Sequence, residues 1–524
     1  MNTFASRSGV DKSVVVAKVV RLIDELWETT PEDEQEAEAS VLVVVFSIGR
    51  LLLAALIARH CWQRAMVEIE ERGSTPEDVR FRLDQDYWGQ LKTALGTVRF
   101  PRFAFRQRTS GLWTTRTPSV GSFLPTLGKC RSSRTLLKLE VALGSRVPFR
   151  QAEGLLSLVT HGEVTLHDTT IAAHCVTVAS ALDRRWFYES PRAIKKILKT
   201  RAILDTATGK PLVFVSSDAH AERFYEGETW QRGWKMVNAL RIYTLDRRTH
   251  ELIHLGGEFI VGDCHAVGAV IDDLNDRGIL PFDALWRGRG SKPVAAQIVF
   301  IADGMPWFDD YIVNRFPEVE VMLDAYHVLE RIGKLLAVLF RKGTKKAKDA
   351  YRRLCLIVTG RSPSTKDASN KKRRGTMRPK KSKPKLRSHD KSRAFPAVDV
   401  AAAQSIEIPP NSASTLVLAI AELPAKTKKR QEAIDDLLAY LMQRYDRICY
   451  AEAWHRGWVL SSAPIESFHR IAQGRLKLPG ATWVPETAQA ILNLRLLHAM
   501  GRDKEFWADK EATGAVAAAF RKAA

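Results

Sequence analysis

Apolar positions change their spacing twice along the chain. Up to about residue 85 they recur at helical intervals, with an acidic connector between Thr30 and Glu38. One stretch, VLVVVFSIGRLLLAALIARH (Val41–His60), is long and apolar enough for a membrane span. Ser47, Gly49 and Arg50 interrupt it, and a central arginine is costly in lipid, so a helix packed on protein is expected, with no membrane partner. Alternation then takes over in GTVRFPRFAFRQR, where Val98, Phe100, Phe103 and Phe105, split by Pro101, predict an edge hairpin. Helical spacing returns from Arg134 to Trp186. Val147–Gly162 and Leu166–Leu182 form the outline of a helix-turn-helix that offers His167, Thr169, Thr170 and His174 to a groove, or of an ordinary helical hairpin in a core.

From Pro211 the pattern predicts strands: Pro211–Asp218, Lys235–Leu245 and Glu251–Ile260. A helix over Cys264–Gly278, a strand over Ala296–Gly304, a helix over Pro306–Pro317 and a strand over Glu318–His327 follow. The order β-β-β-α-β-α-β is that of a ribonuclease-H-like core, an α+β hairpin half followed by a right-handed α/β half. Helices resume from Val328, are broken by a Lys/Pro-rich stretch too polar to order itself, and continue to the C-terminus. The expected organisation is a helical N-terminal region (1–95), a strand pair with a helical DNA-binding region (96–205), the first part of the core (206–328), a helical insertion (329–458) with a basic arm (361–396), and a C-terminal helical part of the core (459–524).

Composition sharpens the class of partner. The 524 residues hold 80 Lys and Arg against 59 Asp and Glu, a formal charge of +21, and a field of that sign attracts polyanions. Arg361–Arg393 alone carries 14 Lys and Arg against Asp367 and Asp390, but the remainder is still net positive. The six cysteines are scattered without a CxxC pair, so neither a disulfide framework nor a zinc ribbon is expected, and a reducing cytoplasm fits.

Three acids carry the candidate chemistry. Asp218 closes the first predicted strand and Asp303 the fourth, and those strands are neighbours in this order. Glu466 stands near the start of a helix that Ser462 can cap and whose first turn holds Pro464. Carboxylates so placed suit a pair of Mg²⁺ or Mn²⁺ ions acting on a phosphodiester. Each Asp can instead simply cap the loop or helix that follows it, and Glu452 and Glu486 are rival third acids. His469, Arg470, Gln473 and Lys477 follow Glu466 at helical spacing and would meet phosphate. Trp483, with Arg475 and Lys477 nearby in sequence, is the candidate for stacking on an unpaired base, while Trp458 reads as core.

At these residues the sequence resembles the DDE transposases of bacterial insertion sequences, in the mutator-like group. The resemblance covers most of the chain from about Gly96. It rests on VFIADGMPW, LDAYHVLERI and PIESFHRIAQGRLKLPGATW followed by AQAILNLR. It implies a transposase that binds terminal inverted repeats and cleaves and joins DNA, with Asp218, Asp303 and Glu466 holding two Mg²⁺ or Mn²⁺ ions. It also implies a dimer or larger assembly in the bacterial cytoplasm, at the nucleoid. Asp324 and His327 fit the family's D-x-x-H motif, either steering the scissile phosphate or holding structure, whereas SSDAHAERF departs from the Asp-Gly form of many relatives. The arm residues Lys371, Lys372, Arg373 and Arg374 would bind DNA without regard to sequence. A ribonuclease-H-fold nuclease that does not join, or a DNA-binding protein without activity, are the rival readings.

Overall fold

A computed structural model describes residues 12–72, 79–82, 88–101, 104–109, 112–116, 131–226, 231–263, 265–276, 296–302, 304, 311–312, 314–315, 319–341, 343–359 and 412–522. Asp303 and the arm residues Lys371, Lys372, Arg373 and Arg374 lie outside the described residues. The chain divides into two compact units: Met1–Trp186 with Tyr225–Gly227 and Ile471–Ala524, and Phe187–Phe224 with Glu228–Arg470.

In the first unit, helices Lys12–Trp27 and Glu34–Glu71 come first, the second capped by the Asp33 carboxylate on the Glu36 N–H. The Glu34–Glu71 helix is long and apolar enough to cross a bilayer. One face of it, with Ile57, Cys61 and Ala65, packs on Val98 and Phe100. Its mid-helix Arg50 pairs with Glu163 and donates to the Leu95 carbonyl. Val41, Val45, Leu52 and Leu56 stay exposed.

The expected hairpin across Pro101 does not form. Strand β1 (Val79–Arg82) pairs with β4 (Ala104–Thr109), which also pairs with β5 (Leu112–Arg116), whereas β2 (Trp88–Thr93) pairs with β3 (Gly96–Pro101). The Thr93 hydroxyl, donating to the Gly96 carbonyl at 2.8 Å, closes the β2–β3 turn instead. Helices Arg134–Arg146, Phe149–Val159 and Asp168–Ala179 follow, close to the sequence expectation, and Pro485–Ala499 packs on the first and third of them.

The second unit is built on a five-stranded mixed sheet of β6 (Leu212–Glu226), β7 (Gln231–Leu245), β8 (Leu252–Val261), β9 (Gln297–Ala302) and β10 (Glu320–Leu323). Its order is β10-β9-β6-β7-β8, with β10, β9 and β6 parallel and β7 and β8 antiparallel. The first and fourth strands are therefore neighbours, as the sequence predicts. Every residue of β9 is buried, which is why QIVFIA reads as one apolar run rather than an alternation. Helices Ala325–Leu339, Lys345–Thr359, Ser412–Ala421 and Lys428–Met442 share one core with this sheet, in which Phe214, Val299 and Met322 join Ile332, Leu416 and Leu441.

Several elements differ from expectation. β6 continues eight residues past Asp218, to Glu226, so Asp218 lies within a strand rather than at its end. β10 stops at Leu323 because the Asp324 carboxylate accepts the Tyr326 N–H and starts a helix there, placing His327 in a first turn and not in a strand. Helix Pro191–Thr200, capped by Ser190, was not anticipated.

Candidate functional site

Glu466 owes its place to the way its helix is pinned. The helix Ala463–Leu476 begins where Arg241, on β7, donates to the Pro464 carbonyl and, at 3.1 Å, to Ser467 Oγ. The same guanidinium lies 5.3 Å from the centre of the Phe468 ring. Phe468 reaches the sheet over Gly257, where a Cβ would come within 3.0 Å of its ring, and stacks on Phe259 at 4.5 Å. Burial pushes the Arg241 guanidinium down to about 10, so it is still a cation at neutral pH. One residue before the helix, the Ser462 hydroxyl donates to Asp324 rather than capping its own helix. Asp324 is fully buried and so ties the end of β10, the first turn of Ala325–Leu339 and the entry to the Glu466 helix together.

Around this joint the acidic groups meet. His469, three residues after Glu466, places Nε2 3.3 Å from Asp218 Oδ2 and Nδ1 2.9 Å from Nδ1 of His220. His220 Nε2 in turn lies 3.2 Å from Glu222 Oε1. His327 Nε2 lies 3.6 Å from Asp324 Oδ2. Burial alone would raise the Asp218 carboxyl, but His469, the Ala219 N–H and the His327 charge outweigh it and hold the group below its ordinary value. Burial, opposed by Ser462 and His327, raises Asp324. Glu466 is exposed, yet partial desolvation and then the negative charges of Asp218 and Asp324 raise it, against the pull of His327 and Arg470.

A carboxylate raised by its acidic neighbours is one that a bound cation would relieve, and carboxylate oxygens are the donors that Mg²⁺ and Mn²⁺ prefer. Glu466 fits a hard divalent cation in this sense, and Asp218, held ionised by its neighbours, offers a second carboxylate of the same chemistry. Among the described residues no three His, Cys, Asp or Glu converge to hold a metal by themselves, and Asp303 is not among them.

Several predicted contacts fall elsewhere. His469 is only 3% exposed and faces Asp218, so it is not a surface contact for DNA. Arg475 is buried, 5.1 Å from the Phe149 ring centre and 4.6 Å from that of Trp483. Trp483 is itself buried and donates Nε1–H to the Leu476 carbonyl, which removes it as a base-stacking residue. Gln473 is half-buried, whereas Arg470 and Lys477 are exposed. Of the rival acids, Glu452 pairs with Arg456 at 3.1 Å and Glu486 is exposed in the first turn of Pro485–Ala499. In the helix-turn-helix outline His167 and Thr169 are exposed, Thr170 is half-buried, and His174 is drawn inward onto the buried Glu140. Sequence reasoning missed Arg241, His220 and Glu222. For the last two a signal existed: they sit two and four residues after Asp218, on the same face of one strand.

No protein-family model matches the chain, and comparison with curated proteins gives no match. Among solved structures it is similar to the "Drosophila P element transposase strand transfer complex", at 12% identity over 73% of this chain and 83% of that one, with a TM-score of 0.22. A superposition that poor does not establish a shared fold.

Proposed function

We propose that the chain is a metal-dependent DNA transposase with a ribonuclease-H-like catalytic core. The observation that carries this reading is the meeting of Asp218 and Glu466. They lie far apart in sequence, yet His469, three residues after Glu466 on the same helix, comes within 3.3 Å of Asp218, and the Asp218 charge helps to raise Glu466. Strand order supports the same reading. β6, which carries Asp218, and β9, which Asp303 follows in the sequence, are parallel neighbours in the sheet. Asp218, Asp303 and Glu466 would hold Mg²⁺ or Mn²⁺, which when bound activates the attacking oxygen and stabilises the leaving one. The chain's own residues set the stage. Arg241 and Asp324 fix the start of the Glu466 helix, His469 holds the Asp218 carboxylate, and exposed Arg470 offers a cation to phosphate. DNA is the proposed partner, with Lys371–Arg374 as a non-specific arm. Because two ends must be joined, the working form is a dimer or larger.

The test is incubation of the full chain with Mg²⁺ or Mn²⁺, DNA carrying the repeats that flank its reading frame, and a target plasmid. Cleavage and joining are expected from the wild type, with both lost in Asp303→Asn and Glu466→Gln while DNA binding persists. Cleavage without joining would favour a nuclease. Joining at the normal rate by Glu466→Gln would overturn the assignment.

A further inference from the structure

Behind Asp218 the second unit contains a line of polar groups that the proposed chemistry does not itself use. Asp218, His220 and Glu222 alternate along β6 and so share one face. His469 descends onto that face from the helix that carries Glu466. Its Nε2 lies 3.3 Å from Asp218 and its Nδ1 2.9 Å from His220, the two rings meeting edge to face at 79°. His220 extends the line to Glu222, 3.2 Å away. His469 and Glu222 are almost wholly buried, at 3% and 6% exposure. Placing two imidazoles and a carboxylate out of water is costly unless each has a defined partner.

The contact between the rings is the informative one. It joins nitrogen to nitrogen, so one Nδ1 carries a hydrogen and the other must be bare. The orientation and tautomer of His469 are therefore tied to those of His220, beyond which Glu222 Oε1 lies 3.2 Å from Nε2 as a nearby negative charge. The group at the end of the line is an acid placed to hold a metal. Partners of this kind, one contact removed from an ion, orient the ligand and are typically felt in metal affinity.

We infer that His469, backed by His220 and Glu222, is a positioning residue that fixes the Asp218 carboxylate in the orientation that takes a divalent cation. This rests on the proposed function. It changes the role of His469 from a contact with DNA to a support for the metal site. It also makes a physical unit of the helix carrying Glu466: one turn supplies an acid, and the next turn orients the acid opposite.

The experiment is titration of the full-length protein with Mn²⁺ alone, free ion being read by electron paramagnetic resonance, with a melting curve for each variant. Asp218→Asn sets the value for a lost ligand. His469→Phe, which keeps the ring and removes both nitrogens, should weaken Mn²⁺ binding by about tenfold or more, within the range such partners show. His469→Gln, which can still present an N–H, should recover most of that loss. Should His469→Phe melt early, Glu222→Gln at the far end of the line tests the same idea and should show a smaller loss in the same direction. If Asp218→Asn weakens binding but His469→Phe and Glu222→Gln bind as the wild type does, the positioning role falls and the proposed function stands. If Asp218→Asn itself changes nothing, both fall. A loss in His469→Phe that Gln does not recover, with melting lowered in both, reduces the residue to packing and overturns the inference.

Discussion

One of the buried carboxylates in each unit is held in nearly the same way. In the first, Glu140 is fully buried, accepts the Ser132 hydroxyl at 2.7 Å and touches Nδ1 of His174. In the second, Asp324 is fully buried, accepts the Ser462 hydroxyl and lies 3.6 Å from Nε2 of His327. An acid, a serine and a histidine therefore do not mark a site by themselves. They are a means of joining elements that are distant in sequence: a loop to two helices around Glu140, a strand end to two helix starts around Asp324. The difference lies in what surrounds each joint. Asp324 shares its field with Asp218 and Glu466, and Glu466 has no ion pair among the described residues. Negative charge left facing negative charge has a cost, and a bound cation removes it.

The largest expected effect breaks the comparison along that line. Asp218→Asn and Glu466→Gln should each lower metal-dependent strand transfer by about a thousandfold or more, since an anionic ligand supplies several kcal/mol of charge stabilisation. Glu140→Gln, measured per folded molecule, should leave the rate within a few-fold. A comparable loss in Glu140→Gln with unchanged melting would place chemistry in the first unit and undo the distinction.

Stability should show the likeness instead. Asp324→Ala leaves the Ser462 hydroxyl and the Tyr326 N–H without their buried acceptor, and Glu140→Ala does the same to Ser132. Losses of about 2–4 kcal/mol are expected for each from denaturant midpoints. Asp324→Ala should in addition weaken Mn²⁺ binding, because the entry to the Glu466 helix is released. A stable Asp324→Ala protein with normal Mn²⁺ affinity would show that the joint does not set the site.

A pH series is a gentler probe of the same acids. Glu466 is raised above 4.5 and Asp218 held below 3.8, so as pH falls Glu466 takes its proton first and Asp218 last. Mn²⁺ affinity should begin to weaken while the pH is still above 4.5, about tenfold per unit once a required carboxylate is mostly protonated. In Glu466→Gln the part of that upper limb due to Glu466 should vanish, so the fall should begin at a lower pH than in the wild type. An unchanged profile in Glu466→Gln would contradict the raised value.

Much of the second unit was legible because its signals are local. The buried run of β9 and the antiparallel β7 and β8 can be read without knowing what lies opposite. The start of the helix that carries Glu466 was legible because Pro464 announces it, though the capping hydroxyl turned out to serve Asp324. What failed depended on a partner far along the chain. Pro101 suggested a hairpin tip, but β3 and β4 pair with strands on their other sides. His469 and Arg475 share a basic helix pattern with Arg470 and Lys477, and periodicity could not show that Asp218 draws in the first while Phe149 and Trp483 enclose the second. Arg241 gave no signal, since its meaning comes from Pro464 and Phe468.

The smallest expected effect separates two arginines on that helix. Arg470 is exposed, and its charge lowers the titration of Glu466. Arg475 is 3% exposed, and burial followed by the neighbouring Arg495 charge pushes its guanidinium down to about 10. An exposed cation that meets a phosphate releases one condensed counterion, so its loss should reduce the log–log salt slope of DNA binding by about 0.9 and the affinity by only a few-fold near physiological salt. Arg470→Gln should do this without altering the melting curve. Arg475→Gln should leave the slope alone and lower the melting temperature, because its guanidinium packs against two aromatic rings where glutamine offers no such cation. Binding isotherms at four salt concentrations beside a thermal melt read both variants at once. A reduced slope for Arg475→Gln in a protein that melts normally would mean that this arginine reaches DNA, and the line drawn between the two halves of the helix would then be in the wrong place.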